Sequence, residues 1–131
     1  SKVFQFLLEE EMEENGNQIS FEERNAEKGY VVLSIIGDLG MWSLPAAKEK
    51  VQELIDQKKL KLVIDLERTN YIDSSGLGFF IGTLKKLKSA GGDMLLINLN
   101  TYIYGIFQLI HLHEIIDIYD NLEAASKNFK D

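Results

Sequence analysis

The sequence predicts an α/β fold: one domain with a mixed sheet of about four to five strands, packed with about four helices. Three observations support this prediction. The 131 residues are too few for two domains of ordinary size. Short apolar runs typical of strands alternate with segments whose apolar residues have helical spacing. Hydrophobic residues make up 45% of the chain and there is no cysteine, so an apolar core must stabilise the domain.

Residues 1–17 form an acidic N-terminal extension, and residues 18–131 form the predicted domain. The extension has two interpretations, a short amphipathic helix or a disordered tail, because an isolated acidic helix of this length is marginal in water. Its apolar residues have helical spacing and acids fill most of the positions between them, with Phe4, Leu7, Leu8 and Met12 as the apolar set and Glu9, Glu10, Glu11, Glu13 and Glu14 as the acidic set.

The domain begins with a predicted antiparallel hairpin. Ile19 and Phe21 alternate with polar residues, and after a polar turn at residues 25–29 comes an apolar run from Tyr30 to Ile36. Residues 37–40 (Gly-Asp-Leu-Gly) end that run. Ser43 and Pro45 then predict a helix start, since serine caps free amides and proline is tolerated in the first turn. The helix has one apolar face, which is formed by Leu44, Ala47, Val51, Leu54 and Ile55.

A strand–helix–strand unit follows. The run from Leu62 to Leu66 is nearly continuous in apolar residues, as in strands covered on both faces. A helix is predicted from Ser75 to Ala90, ended by two glycines, and a second buried strand from Met94 to Ile97. Such a unit joins parallel strands, so the sheet is mixed. The helical face consists of Leu77, Phe80, Ile81, Leu84 and Leu87.

The last third of the chain predicts a helix, a strand and a final helix. The first helix carries Ile103, Ile106, Phe107 and Ile110, the strand covers Ile115 to Tyr119, and the last helix covers Asn121 to Phe129.

Composition excludes several classes of function. The formal net charge is -7, with 21 acids and 14 bases. A protein that neutralises nucleic-acid phosphates is normally basic, so we expect no direct binding of nucleic acid. Without cysteine, and with His111 and His113 as the only histidines, we expect no metal and no cofactor. No apolar run approaches the roughly 20 residues needed to span a bilayer, and the start of the chain lacks a signal peptide's apolar centre, so we expect a cytoplasmic protein without membrane contact.

The segment from Tyr71 to Gly78 lies between the exit of the central strand and the next helix, where parallel sheets usually meet ligands and partners. In one interpretation a serine caps the helix, and Gly76, Gly78 and Gly82 let it approach the sheet. In the other, one serine hydroxyl is phosphorylated, since a phosphate at a helix start meets free amides and a favourable dipole. The output would then be binding rather than catalysis.

Residues Asp73 to Gly78 (Asp-Ser-Ser-Gly-Leu-Gly), following the strand at 62–66, with Gly-Asp-Leu upstream and Gly-Gly downstream, resemble the STAS domain of bacterial anti-sigma factor antagonists. The resemblance covers roughly residues 18–129. It implies that Ser74 is the phosphoacceptor, and Ser75 is then expected to be the helix cap.

The resemblance also implies a mechanism. The unphosphorylated protein would bind an anti-sigma factor that is a serine kinase with a histidine-kinase-like ATPase fold, and so release the sigma factor. Phosphorylation of Ser74 would end the binding, and a PP2C-type phosphatase would restore it. The implied partner-binding residues are Asp38, Leu39, Gly40, Asp73, Ser74, Ser75, Gly76 and Leu77.

Two features depart from the family or go beyond it. The family commonly has an acidic or amide residue where this chain has Gly40, which predicts a different partner or affinity. The resemblance does not explain the acidic extension. Three interpretations of it stand: a homodimer contact, a partner contact or a disordered segment.

Three rival functions can be compared with this one. A STAS scaffold or transport-associated subunit would bind partners constitutively, without phosphorylation. Nucleotide binding lacks support, because Ile81 stands where the dinucleotide fingerprint requires glycine. A serine hydrolase lacks the glycine two places before its nucleophile, so we predict that the chain is not an enzyme.

Overall fold

The structure is a computed structural model that describes residues 2–5, 7 and 19–131. Residues 2–5 and 7 are helical. Their apolar side chains Val3, Phe4 and Leu7 are all more than half exposed. Leu8, Met12 and the run of glutamates lie outside the described residues.

Nine regular elements follow in the order β1, β2, α1, β3, α2, β4, α3, β5, α4. The strands are β1 Ser20–Asn25, β2 Val31–Ile36, β3 Lys61–Asp65, β4 Asp93–Ile97 and β5 Asp117–Tyr119. The helices are α1 Leu44–Asp56, α2 Ser74–Ser89, α3 Thr101–Leu109 and α4 Leu122–Ser126. Short 3-10 turns cover Glu27–Gly29 and Leu112–Glu114.

The five strands form one sheet in sequence order, β1-β2-β3-β4-β5. β1 pairs with β2 in antiparallel fashion, with Ser20 opposite Ile36, and the other neighbouring pairs are parallel. The predicted hairpin, the parallel strands and the mixed sheet are therefore confirmed. Because β2, β3 and β4 are parallel, the loops that follow them meet at one end of the sheet, called here the carboxyl end.

Both faces of the sheet are covered, which explains the nearly continuous apolar runs in the central strands. Leu62 and Ile64 of β3 belong to the larger core, which packs against α1, α2 and α3. Val63 points to the opposite face because strand side chains alternate, and there it joins the smaller core formed with Ala125 and Phe129.

The opposite end of the sheet, called here the amino end, is closed by a buried polar network. The Tyr30 hydroxyl donates to Asp93 Oδ2 at 2.8 Å and accepts from the Lys130 amide at 3.1 Å. Lys88 Nζ lies 3.0 Å from the other Asp93 oxygen. The Phe129 ring stacks on Tyr30 with 3.9 Å between centroids. The C-terminal segment is thereby tied to the starts of β2 and β4.

Two pKa values in this network are shifted by identifiable causes. Burial raises the pKa of Asp93, but the hydrogen bonds from Tyr30 and Lys88 outweigh it, so the net pKa lies below the ordinary value. Burial also raises the pKa of the Tyr30 hydroxyl. At neutral pH the network therefore consists of an ionised Asp93, a neutral Tyr30 and a charged Lys88.

Some element boundaries differ from the predictions for local reasons. The last strand starts at Asp117 rather than Ile115, because His111 takes a left-handed backbone conformation and a 3-10 turn follows it. Ile110 and Ile115 are consequently exposed rather than part of the core. The last helix is confined to Leu122–Ser126, shorter than the predicted span.

Ser43 stands at the predicted helix start, but its predicted role is wrong. Its backbone is already helical and its hydroxyl caps no amide of α1. Ser43 Oγ instead accepts from the Gly40 amide at 3.0 Å and donates to the Asp38 carbonyl at 2.9 Å. The side chain holds together the loop that precedes the helix.

No helix in the described part of the chain has both the length and the apolar character required to cross a membrane.

Candidate functional site

The loops that follow β2 and β3 run side by side at the carboxyl end. The Leu39 amide donates to the Tyr71 carbonyl at 3.0 Å, and the Asp73 amide donates back to the Leu39 carbonyl at 3.2 Å. Leu39 and Ile72 form a parallel bridge. The two segments that the sequence singled out, residues 37–40 and 71–78, are therefore brought together by backbone pairing.

The loop after β3 is also held from below by side chains. Thr69 Oγ1 donates to the Ile35 carbonyl at 2.8 Å, and the residue is fully buried. Asp65, at the end of β3, accepts from Asn98 Nδ2 and from the Glu67 amide, both at 3.0 Å. The side chains of Asp65, Thr69 and Asn98 thus fix the course of residues 66–73 before the helix begins.

Asp73 is the cap of α2. Its Oδ1 accepts from the amides of Ser75 at 2.8 Å and Gly76 at 3.1 Å. The expectation that Ser75 caps this helix is wrong, because the helix begins one residue earlier, at Ser74, and Ser75 lies inside its first turn. An aspartate in extended conformation directly before a helix is among the strongest caps.

The same carboxylate joins the two loops. Asp73 Oδ2 accepts from the Met41 amide at 3.1 Å, so one side chain caps α2 and ties down the segment that leads into α1. The same carboxylate lies close to Gly40, where the resemblance leads us to expect an acidic or amide residue. A Cβ atom on Gly40 would lie 2.8 Å from Asp73 Oδ2. A larger residue there would require the Asp73 carboxylate to shift, which would disturb its bond to the Met41 amide.

Ser74, the predicted phosphoacceptor, is exposed as the first residue of α2. The amides of Ser75 and Gly76, which a phosphate was expected to meet, are already bonded to Asp73. A phosphate on Ser74 would therefore stand beside an existing negative charge and would not be neutralised by those two amides.

The other predicted site residues differ in accessibility. Asp38 is exposed, while Gly40, Asp73, Ser75 and Leu77 are half-buried. Leu39 and Gly76 are buried: a Cβ on Gly76 would lie 2.5 Å from the Leu39 carbonyl oxygen. These two residues let the loop and the helix touch, and they shape the site instead of offering a side chain to a partner.

The prediction that three glycines of α2 permit close packing on the sheet holds only for Gly76. At Gly78 and Gly82, a Cβ atom would meet no neighbouring atom within 4 Å. Both line a groove of about 420 Å³ between α1 and α2, together with Ser75, Lys48 and Lys86. Their small size opens this groove beside residues 73–76, called here the serine-bearing turn.

The sequence interpretation missed one residue of this end of the molecule, Tyr102. Its ring stacks on that of Tyr71 with 6.4 Å between centroids, and both rings are about half exposed. Tyr102 lies in the first turn of α3, which also starts at the carboxyl end. The signal available was the Asn100 cap, which predicts where α3 begins and thus which residues reach that end.

His111 and His113 follow the last turn of α3, so they lie at the other end of that helix from Tyr102. Within residues 2–5, 7 and 19–131, no group of three or more histidine, aspartate or glutamate side chains is arranged to hold a metal ion.

Comparison with known proteins gives a consistent result. The model of the STAS domain family matches residues 22–125. The anti-sigma-B factor antagonist of Bacillus subtilis is 38% identical over 88 residues, which cover 67% of this chain and 80% of that protein.

Two solved structures share the fold. A crystal structure from Thermotoga maritima is 26% identical, with a TM-score of 0.77 over 82% of this chain and 92% of that one. The Bacillus protein SpoIIAA in its phosphorylated form is 22% identical, with a TM-score of 0.64 over 84% and 100%. The family match spans most of the sheet and the serine-bearing turn, and the chain therefore belongs to the STAS domain family.

Proposed function

We propose that this chain is an anti-sigma factor antagonist whose binding is switched off by phosphorylation of Ser74. The observation that carries the proposal is the exposed Ser74 at the start of α2, directly after the aspartate that caps the helix. The 38% identical relative bears the name of such an antagonist, which supports the assignment. The partner is then an anti-sigma factor that is also a serine kinase, and the site of action is the cytoplasm, where sigma factors act.

The geometry supplies a physical reason for a switch. A phosphoserine carries about -1.5 to -2 charges at neutral pH. Because Asp73 already occupies the amides of Ser75 and Gly76, that charge adds to the carboxylate instead of being absorbed by the helix start. The surface changes from one exposed hydroxyl to a cluster of negative charge, and a partner fitted to the hydroxyl is repelled.

The proposed contact surface includes Asp38, Gly40, Ser74, Ser75 and Leu77, which are exposed or half-buried. Asp73, Leu39 and Gly76 position this surface through the cap, the loop bridge and the close approach described above. A PP2C-type phosphatase would return the chain to its binding form.

The test is phosphorylation by the cognate anti-sigma factor kinase with ATP, followed by intact mass and site mapping. We expect one phosphate, on Ser74, and none on Ser74→Ala. Ser75→Ala is the matched control, because it removes the neighbouring hydroxyl but retains the Asp73 cap, so Ser74 should still be modified.

Binding measurements complete the test. Ser74→Asp should bind the kinase at least tenfold more weakly than the unmodified chain. The rival function, a scaffold or transport-associated subunit that binds constitutively, predicts no phosphate on Ser74 and equal binding by Ser74→Asp. Either result would contradict the switch.

A further inference from the structure

Three large apolar side chains are exposed together at the carboxyl end of the sheet. Met41 is 57% exposed, Tyr71 48% and Tyr102 53%. They come from three segments: the loop after β2, the loop after β3 and the first turn of α3. We call this set the aromatic flank. Only the fold collects it, because the three residues are widely separated in sequence.

The two tyrosine rings of the aromatic flank are positioned by stacking on each other and by hydrogen bonds of the segments that carry them. The rings of Tyr71 and Tyr102 are nearly parallel, 13° apart. Asn100 caps α3 through the Ile103 amide at 2.7 Å and donates to the Asn70 carbonyl at 3.3 Å, which joins the two segments that carry the rings. The Met41 amide is bound to Asp73. Side chains fixed before binding lose little conformational entropy when a partner covers them.

The aromatic flank is continuous with the serine-bearing turn. A cleft of about 200 Å³ connects them, lined by Asp38, Gly40, Met41, Trp42, Ser43, Tyr71 and Asp73. Two of these residues are carboxylates, and no described lining residue is a cation. Asp73 already accepts three backbone amides. A protein that covers the cleft is therefore expected to place apolar groups on the rings and a cationic or N–H-donating group on Asp38.

We propose that the aromatic flank is a second contact area for the anti-sigma factor, extending the interface from α2 across to the start of α3. The inference rests on the proposed function and adds to it residues that the motif does not contain. Each half-exposed tyrosine leaves roughly 100 Å² to bury, judged from the 150–250 Å² that aromatic side chains bury. Tyrosine is enriched among the residues that carry most of the binding energy of an interface.

This arrangement separates two tasks. The aromatic flank supplies affinity in a way that is independent of the state of Ser74, and the hydroxyl decides whether binding is permitted. Substitutions in the flank should therefore raise the KM for phosphorylation of Ser74 without lowering kcat. Because a substitution that merely unfolds part of the substrate would also raise the apparent KM, the variants are compared at equal concentrations of folded chain.

The experiment measures binding by calorimetry to the serine-kinase anti-sigma factor of the source organism. Tyr102→Ser should bind at least tenfold more weakly, and a double substitution with Tyr71→Ser should weaken binding further. The matched control is Tyr104→Ser on the same helix. Tyr104 is 38% exposed and lines a separate cavity with Leu99 and Ile118. Melting temperatures of the variants verify that each is folded.

Three results would overturn the inference. Equal affinities of Tyr102→Ser and the unsubstituted chain would show that the partner does not reach the flank. An equal loss in Tyr104→Ser would show that the effect is not specific to the flank. A dimer of the unsubstituted chain that Tyr102→Ser converts to a monomer would identify a second copy as the occupant. Absence of any binding by the unsubstituted chain would reject the proposed function itself, which distinguishes the two failures.

Discussion

The two ends of the sheet differ in how many of their side chains are buried and hydrogen-bonded and how many are exposed. At the amino end, Tyr30 is 1% exposed and its hydroxyl is shared between Asp93 and the Lys130 amide. At the carboxyl end, the loops are joined by the backbone pairing of Leu39 with Tyr71 and Asp73 and by a few polar side chains, such as those of Asp73 and Thr69. Side chains at the amino end are buried and bonded to one another. Ser74 and the aromatic flank, at the carboxyl end, remain exposed.

This difference teaches how a small domain combines stability with recognition. A loop that is held by backbone pairing and by a few polar side chains can leave its other side chains available to a partner. A terminus held by side chains, such as the C-terminal segment stacked on Tyr30, contributes to stability and offers little for binding. Substitutions at the amino end should therefore lower stability and leave binding unchanged, and those at the carboxyl end should do the reverse unless they disturb the backbone pairing.

The largest expected effect comes from a substitution at the carboxyl end that disturbs the backbone pairing there and so lowers stability. Gly76→Ala should lower the free energy of unfolding by about 2 kcal/mol or more, since its Cβ would meet the Leu39 carbonyl oxygen at 2.5 Å. Gly78→Ala, two residues further along α2, is the control: its site is open, so alanine should stabilise the helix by about 0.5–1 kcal/mol. Urea denaturation measures both. Similar changes in the two variants would contradict the close approach.

Tyr30→Phe tests the amino end. It leaves one oxygen of the buried Asp93 and the Lys130 amide without the Tyr30 hydroxyl, so we expect a loss of about 1–2 kcal/mol of unfolding free energy. Binding to the anti-sigma factor should not change, because the substitution lies at the other end of the strands. A drop in affinity greater than the drop in the folded fraction explains would contradict the separation of stability and binding between the two ends.

Asp73→Asn tests how the two loops are joined. Asparagine caps helices as well as aspartate, but its amide nitrogen cannot accept from the Met41 amide. Stability should fall by less than about 1 kcal/mol, while hydrogen exchange of the Met41 amide should accelerate several-fold. Asp38→Asn, at an exposed neighbouring aspartate, is the control and should leave that exchange rate unchanged. Unchanged exchange in Asp73→Asn would show that the bond does not hold the loop.

The smallest expected effect is a pH dependence at the amino end. The pKa of Asp93 is lower in the folded chain than its unfolded value near 4, so the folded state binds this proton less readily. Its contribution to stability is complete above that unfolded pKa and is lost as the pH falls through the folded pKa, below about 4. The effect is small because burial opposes the hydrogen bonds from Tyr30 and Lys88.

Urea denaturation between pH 2 and 6 measures this dependence, with Asp93→Asn as the reference. The stability difference between the two chains should shrink as the pH falls below about 4. A difference that stays constant over this range would contradict the assigned direction of the pKa shift.

Much of the fold was predictable because its signals are local. The period-2 pattern around Phe21 and the helical spacing from Leu77 to Leu87 indicate which side of an element is buried, and the apolar run at 62–66 indicates burial on both sides. The serine-bearing turn was recognisable for the same reason, since its residues are contiguous. Boundaries such as the start of β5 depended on the conformation of His111, for which the sequence carries no comparable signal.

The roles of single polar residues were less predictable. Ser43 and Ser75 are both good capping residues, yet one holds the preceding loop and the other lies inside the helix, because Asp73 outcompetes Ser75 as the cap. Gly76, Gly78 and Gly82 look alike in sequence, but only Gly76 lies against a carbonyl oxygen. Residue type limits what a side chain can do, and the surrounding structure selects which of those interactions forms.

The sequence by itself determined the class of fold, the order of most elements and the position of the exposed serine, since each depends on patterns within a few residues. Only the tertiary structure decided that Asp73 joins the Met41 amide, that Gly40 leaves room for this carboxylate, and that Tyr102 stacks on Tyr71 beside the site. These contacts link segments about 30 residues apart along the chain. Their geometry depends on how parallel strands bring their following loops to one end of the sheet, and no local pattern encodes it.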